Sequence, residues 1–153
     1  MTTKFKWHDY VLIGLGVVVL IVSTIIILMN YGTMPDQIPM HYDFDGTVTN
    51  LSSKKEIIFL VVMDWFIYGV MIISIFFPKM WNMPQVSPQN APRAVFATKK
   101  MLEVMALLLT IMFSYMMLSS GGILPYFNWL LFVFLGIIFV VTFGCVIYLM
   151  ILK

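Results

Sequence analysis

Charge is scarce in this chain, and so is cysteine. Only 10% of its 153 residues are Asp, Glu, Lys or Arg, against 61% hydrophobic. A surface so poor in charge cannot be presented to water, so lipid must cover most of it. A net charge of +2, with no basic patch carrying interleaved aromatics, argues against nucleic acid as a partner. The single cysteine, Cys145, lies in an apolar run and excludes an intrachain disulfide framework or a CxxC metal or redox site. It reads as a small apolar residue. Two histidines, His8 and His41, with no HExxH motif and no matched Ser or Cys nucleophile, point away from an enzyme and call for no cofactor. Neither an internal repeat nor a low-complexity segment is present.

What the chain has instead is four long apolar runs, Tyr10 to Met29, Ile57 to Phe77, Met101 to Leu118 and Trp129 to Leu152. A helix rises about 1.5 Å per residue, so roughly 20 residues cross a hydrocarbon core about 30 Å thick while satisfying their own backbone. The expected fold is an all-α four-transmembrane-helix bundle forming a single polytopic membrane domain over 1–153. The first run exceeds the apolar core of a signal peptide and no small-residue cleavage site follows it, so it is expected to remain as a span.

Lys4, Lys6, Lys79, Arg93, Lys99, Lys100 and Lys153 fall on one side of this arrangement, and only Lys54 and Lys55 on the other. The positive-inside rule then makes the side with both termini cytoplasmic, in a cell membrane. Trp7, Trp81, Tyr126 and Trp129 flank the spans as interfacial aromatics do. Residues 78–100, with Pro78, Pro84, Pro88 and Pro92, read as an irregular cytoplasmic connector whose basic residues set topology or touch anionic headgroups.

The outer loop, residues 30–56, carries the chemistry. Pro35 and Pro39 push their predecessors toward extended geometry, and Asp45-Gly46 is a two-residue hairpin signal. Pairing outward from that turn sets Phe44 against Thr47, Tyr42 against Thr49 and Met40 against Leu51. One face would then be apolar, with Met40, Tyr42, Phe44 and Leu51, and the other would carry His41 and Asp43. A lone hairpin is marginal, so its apolar face is expected to dock on the helix ends as a cap.

Pro35, Ile38-Pro39, His41, Asp43, Gly46 and Lys54 together resemble the proline, histidine and glycine signature of the domain of unknown function 1648, with Met34 in place of the usual Leu. That family is related to the Sdp toxin immunity proteins of bacilli, polytopic membrane proteins that protect their producer from a secreted peptide toxin and help sequester a repressor at the membrane. The resemblance covers roughly a third of the chain, from the end of the first helix through the outer loop to the start of the second. It implies a membrane topology, with toxin immunity or partner capture as the associated activity.

Within the loop, His41 is expected to be tied to the hairpin backbone or to Asp43. The weaker alternative is a partial zinc or manganese site with Asp43 and Asp45, which lacks a closed ligand set. Asp64 lies well inside the second span, where a charge costs roughly 2.5–3.5 kcal/mol, so it should face the interior and find a partner, with Tyr115 and His41 as candidates. It is either a helix-locking hydrogen bond or a ligand or proton site. Glu103 reads as an end effect reaching water. Met101, Met105, Met112 and Met116 share a helix face and read as packing rather than as a copper site. Gly136 and Gly144 share a face that would permit close helix approach.

The reading that emerges is a non-enzymatic membrane protein that recognises or excludes an extracytoplasmic peptide toxin through the loop between the first two helices. Its candidate residues are Pro35, Pro39, His41, Asp43, Asp45, Gly46 and Asp64. The alternatives are a membrane sensor that captures a cytoplasmic or membrane partner through its basic segment, and a metal-dependent membrane enzyme or transporter. A homodimer is compatible with all three.

Overall fold

The computed structural model describes residues 4–152, so Lys153, counted above among the positive charges, lies outside the described residues. Its elements are α1 (Trp7–Asn30), β1 (Gln37–Tyr42), β2 (Val48–Ser53), α2 (Glu56–Phe76), a 3-10 turn (Pro78–Met80), α3 (Ala91–Ser120) and α4 (Asn128–Ile151). All four α-helices are long and apolar enough to cross a membrane. The fold is a four-helix bundle with a two-stranded antiparallel hairpin between α1 and α2. Both described ends of the chain lie at the end of the bundle opposite the hairpin, here called the terminal face.

The helix limits follow local chemistry. At the start of α1 the Lys6 amide donates to Asp9 Oδ2 at 2.7 Å, satisfying one of the donors that a helix start leaves open. α2 ends at Phe76, two residues before Pro78, and Gly122, at a positive φ, follows the end of α3. The largest departure from expectation is α3, which begins at Ala91 rather than Met101, so much of the expected irregular connector is helix. Pro92 sits in the first turn of α3, where its missing N–H costs nothing and its fixed φ suits the helix. At 30 residues, α3 is about 45 Å long and extends past a hydrocarbon core of about 30 Å at the terminal face.

α3 is the hub. α1 and α2 both pack on it extensively and touch each other little, while α4 rests mainly on α3 from another side. Only Leu149 of α4 is buried. Added Cβ atoms at Gly136 and Gly144 would meet nothing within 4 Å, so these glycines do not bring helices together within the chain. Met105 faces α4, its sulfur accepting from the Thr142 hydroxyl at 3.6 Å, in line with a packing role.

The hairpin caps the other end. Ile38 is buried with Met34, Ile27, Ile57, Val61 and Met117, and Met40 packs against that cluster. Lys54 staples the hairpin base. Its ammonium bonds the Met34 carbonyl at 3.3 Å and the Asp36 carboxylate at 3.0 Å, while its amide donates to the Asp36 carbonyl.

The strand register differs from the expected one. Pro39 pairs with Leu51, His41 with Asn50 and Tyr42 with Val48, with irregularities between them. The turn spans three residues instead of two. Gly46 N–H bonds the Asp43 carbonyl at 2.9 Å, Asp43 N–H bonds the Thr47 carbonyl at 2.8 Å, and only Gly46 takes a positive φ, of 89°. A two-residue type I′ turn needs positive φ at both central positions, which Asp45 does not adopt. The chain therefore uses a three-residue loop with glycine at the left-handed position. The extra residue moves Leu51 off the docked face, leaving it half exposed, and swings the Phe44 side chain to the rim.

Candidate functional site

Two polar regions and one groove are built on this frame. The groove lies where the hairpin tip meets the start of α4. Tyr42 stacks on Tyr126 with ring centroids 3.7 Å apart, and Phe44 lies parallel to Phe132 at 6.1 Å. The Asn128 amide donates to the Phe44 carbonyl at 3.2 Å. Together with Asp43, these residues line a cavity of about 200 Å³ at the hairpin face. Burial raises the Tyr42 and Tyr126 phenols above their usual range, while the Thr47 amide holds the Asp45 carboxyl below its own.

The sequence candidates fall unevenly on this site. Asp43 lines the groove, but its Oδ1 accepts from the Phe44 amide at 2.9 Å, and Asp45 Oδ1 accepts from Thr47 at 2.8 Å. Both carboxylates are engaged in shaping the turn, as short polar side chains do. The His41 residue is exposed and, among the described residues, its ring bonds neither the hairpin backbone nor Asp43, contrary to the expected tie. No group of three His, Cys, Asp or Glu among the described residues converges as a metal site would, so His41, Asp43 and Asp45 do not form one. Gly46 sets the turn, while Pro35 precedes β1 and Pro39 lies within it, neither of them lining the groove.

Asp64 is 1% exposed, as its position in α2 required. Its partner is neither Tyr115 nor His41. Thr110 of α3 donates to Asp64 Oδ1 at 2.7 Å, and Oδ2 has no hydrogen-bond partner. The Tyr115 hydroxyl points away from Asp64 to the α3–α4 connection, accepting from the Phe127 amide at 2.6 Å. Four residues nearer the hairpin, the Ser114 hydroxyl donates to Ser23 of α1 at 3.0 Å. On the terminal side, the Tyr68 hydroxyl donates to the Ile13 carbonyl at 2.5 Å, its ring lying where Gly16 of α1 has no side chain.

The second polar region, at the terminal face, was not foreseen from sequence. Lys99 and Lys100 of α3 close on Asp9 of α1, with Lys99 Nζ 2.5 Å from Asp9 Oδ2 and Lys100 on Oδ1. Lys100 also bonds Glu103 Oε2 at 2.7 Å. The His8 Nδ1 lies 2.8 Å from Lys100 and accepts from it, because an ammonium only donates. Lys99 further donates to the Lys4 carbonyl and lies over the Phe5 ring at 4.9 Å. Asp9, Lys99 and Glu103 are all at least 97% buried. Glu103 therefore does not reach water as expected, and Lys99 is not free to meet lipid headgroups. The available signal was the spacing of Lys99, Glu103, Ala106, Thr110 and Ser114, which places them on one α3 face toward α1 and α2.

With the hairpin and its base in place, comparison with known proteins becomes informative. Residues 18–63 match the family model of the domain of unknown function 1648. The matched stretch runs from mid-α1 through the hairpin to Asp64's neighbour Met63. No curated protein matches the chain, and no solved structure does. The match supports the family resemblance read from Pro35, His41, Gly46 and Lys54, and assigns no activity.

Proposed function

We propose that this protein is a non-enzymatic, multi-pass cell-membrane protein that recognises a secreted peptide toxin at its hairpin face and so protects the cell that makes it. The observation that carries this reading is the groove between the hairpin tip and α4. Aromatic walls from Tyr42, Phe44, Tyr126 and Phe132 with a carboxylate at Asp43 suit an aromatic or cationic peptide side chain. The Lys54 staple and the Ile38 anchor hold the walls in place before any ligand arrives, which lowers the ordering cost of binding. Tyr126 and Trp129 put the groove at the expected lipid boundary, the place a membrane-inserting peptide must pass. The termini are cytoplasmic in this arrangement, by the distribution of Lys and Arg.

Partner capture through the basic segment has less to support it, because Lys99 and Lys100 are committed to Asp9 and only Lys79 and Arg93 are left exposed there. A metal-dependent reaction would need His41 to meet Asp64, which lies about 12 Å along α2 from its hairpin end. The test is survival of a sensitive bacterium challenged with a panel of membrane-active peptides. Wild type is compared with Tyr126→Ala, Asp43→Ala, His41→Ala and Asp64→Asn at matched membrane abundance. Protection is expected with wild type and lost in Tyr126→Ala and Asp43→Ala. If wild type protects against none of the peptides, the immunity reading falls.

A further inference from the structure

Mid-bundle, between the groove and the terminal charges, one carboxylate is left half-partnered. Asp64 uses Oδ1 with Thr110, and its buried Oδ2 has no partner. The Ser114 hydroxyl lies one turn nearer the hairpin than Thr110 on the same buried face of α3. It is joined at 3.0 Å to Ser23, whose own hydroxyl donates to the Leu20 carbonyl at 3.1 Å. Three helices thus bring one carboxylate, three hydroxyls and a carbonyl into a band about one turn of α3 deep.

Apolar layers close this band on both sides. Toward the hairpin lie Ile27, Ile57, Val61 and Met117, and toward the terminal face lie Leu20, Tyr68 and Ala106. Among the described residues, no basic side chain is near. Lys100 is ten residues from Thr110 and Lys55 nine from Asp64, which is about 14 Å or more along the helices. An ionised carboxylate cannot stay unpaired at hydrocarbon depth, so it must carry a proton or hold a cation. The donors are all oxygen, which suits a hard cation, and their single negative charge balances a single positive one.

We propose that Asp64, Thr110, Ser114 and Ser23 form an occluded binding site for one sodium ion, which exchanges with a proton on Asp64. The site shares no residue with the groove, so it stands or falls independently of toxin recognition.

Dicyclohexylcarbodiimide, an apolar reagent that adds to protonated carboxyls, tests it. A lateral opening of about 230 Å³ between α1 and α3 has Ser23 and Ser114, two of the site's hydroxyls, in its lining, which brings the reagent from the lipid side to the edge of the site. The full-length protein in micelles is prepared throughout in choline chloride or sodium chloride, and labelling at Asp64 is followed by peptide mass spectrometry. Labelling is expected in choline and slowed about tenfold by sodium at about ten times its dissociation constant. Ser23→Ala should keep the labelling and lose part of the sodium protection. Equal rates in the two salts, or no labelling of Asp64 in choline, overturns the site.

Discussion

Replacing Lys99 or Asp9 tests whether the terminal charge cluster holds α1 to α3. The cluster balances two ammoniums against two carboxylates, and Asp9 and Lys99 are 0% and 3% exposed. For a solvated pair the loss on removing one partner would be about 0–1 kcal/mol. For a buried pair it is about 3–5 kcal/mol, because the survivor is left as an uncompensated charge. Lys99→Met leaves Asp9 with Lys100, which it already shares with Glu103, so a loss near the lower end, about 3 kcal/mol, is expected. Asp9→Asn leaves Lys99 with only the Lys4 carbonyl and the Phe5 ring, so the loss should approach about 5 kcal/mol. The double variant restores neutrality and should cost less than the sum, by a coupling of about 2–3 kcal/mol. Reversible unfolding in mixed micelles, followed by tryptophan fluorescence, measures all four corners of this cycle. Single losses under about 1 kcal/mol, or strict additivity, would refute the claim that these charges are buried and paired.

Two further outcomes follow from the packing and the turn. Gly16→Ala places a Cβ inside contact distance of the Tyr68 ring, so it should destabilise by about 1–3 kcal/mol in the same unfolding assay, with recovery when combined with Tyr68→Leu. The hairpin tip should weaken in acid. The Asp45 carboxyl is depressed by accepting the Thr47 amide, so its contribution is present above the unfolded-state pKa and is lost as pH falls through the depressed one. The protection of the Thr47 amide, relative to its intrinsic exchange rate at each pH, should therefore fall in that acid window, and Asp45→Ala should remove that change in protection.

The number of spans, the hairpin and its docking on the helix ends were legible because each depends on local pattern: run length for the helices, proline and Asp-Gly placement for the loop. The register was not. Asp45-Gly46 signals a turn without specifying its length, and the choice rests on whether Asp45 adopts positive φ, which the tertiary frame decides. The start of α3 was missed because Pro92 marks a loop and a first helical turn equally well. Asp64 could be placed in the interior by its cost alone, whereas its partner depended on the rotation of α3, which turns Thr110 inward and Tyr115 toward Phe127.

That rotation follows from how lipid sorts side chains. In water a helix turns its apolar face inward, but lipid gives an apolar face nothing to gain by burial, and polar side chains instead seek the protein interior. α3 is the least apolar of the four spans and the most buried, while α4, among the most apolar, has no residue of its most hydrophobic stretch buried. The inward stripe of Lys99, Glu103, Thr110 and Ser114 explains both why α3 is the hub and why Asp9, Ser23 and Asp64 are found opposite it. Reading the polar positions of each span as its core face would have paired α1 and α2 with α3 directly from the sequence. The same logic leaves α4, whose polar side chains are few, free to face lipid along most of its length while its first turns complete the aromatic groove.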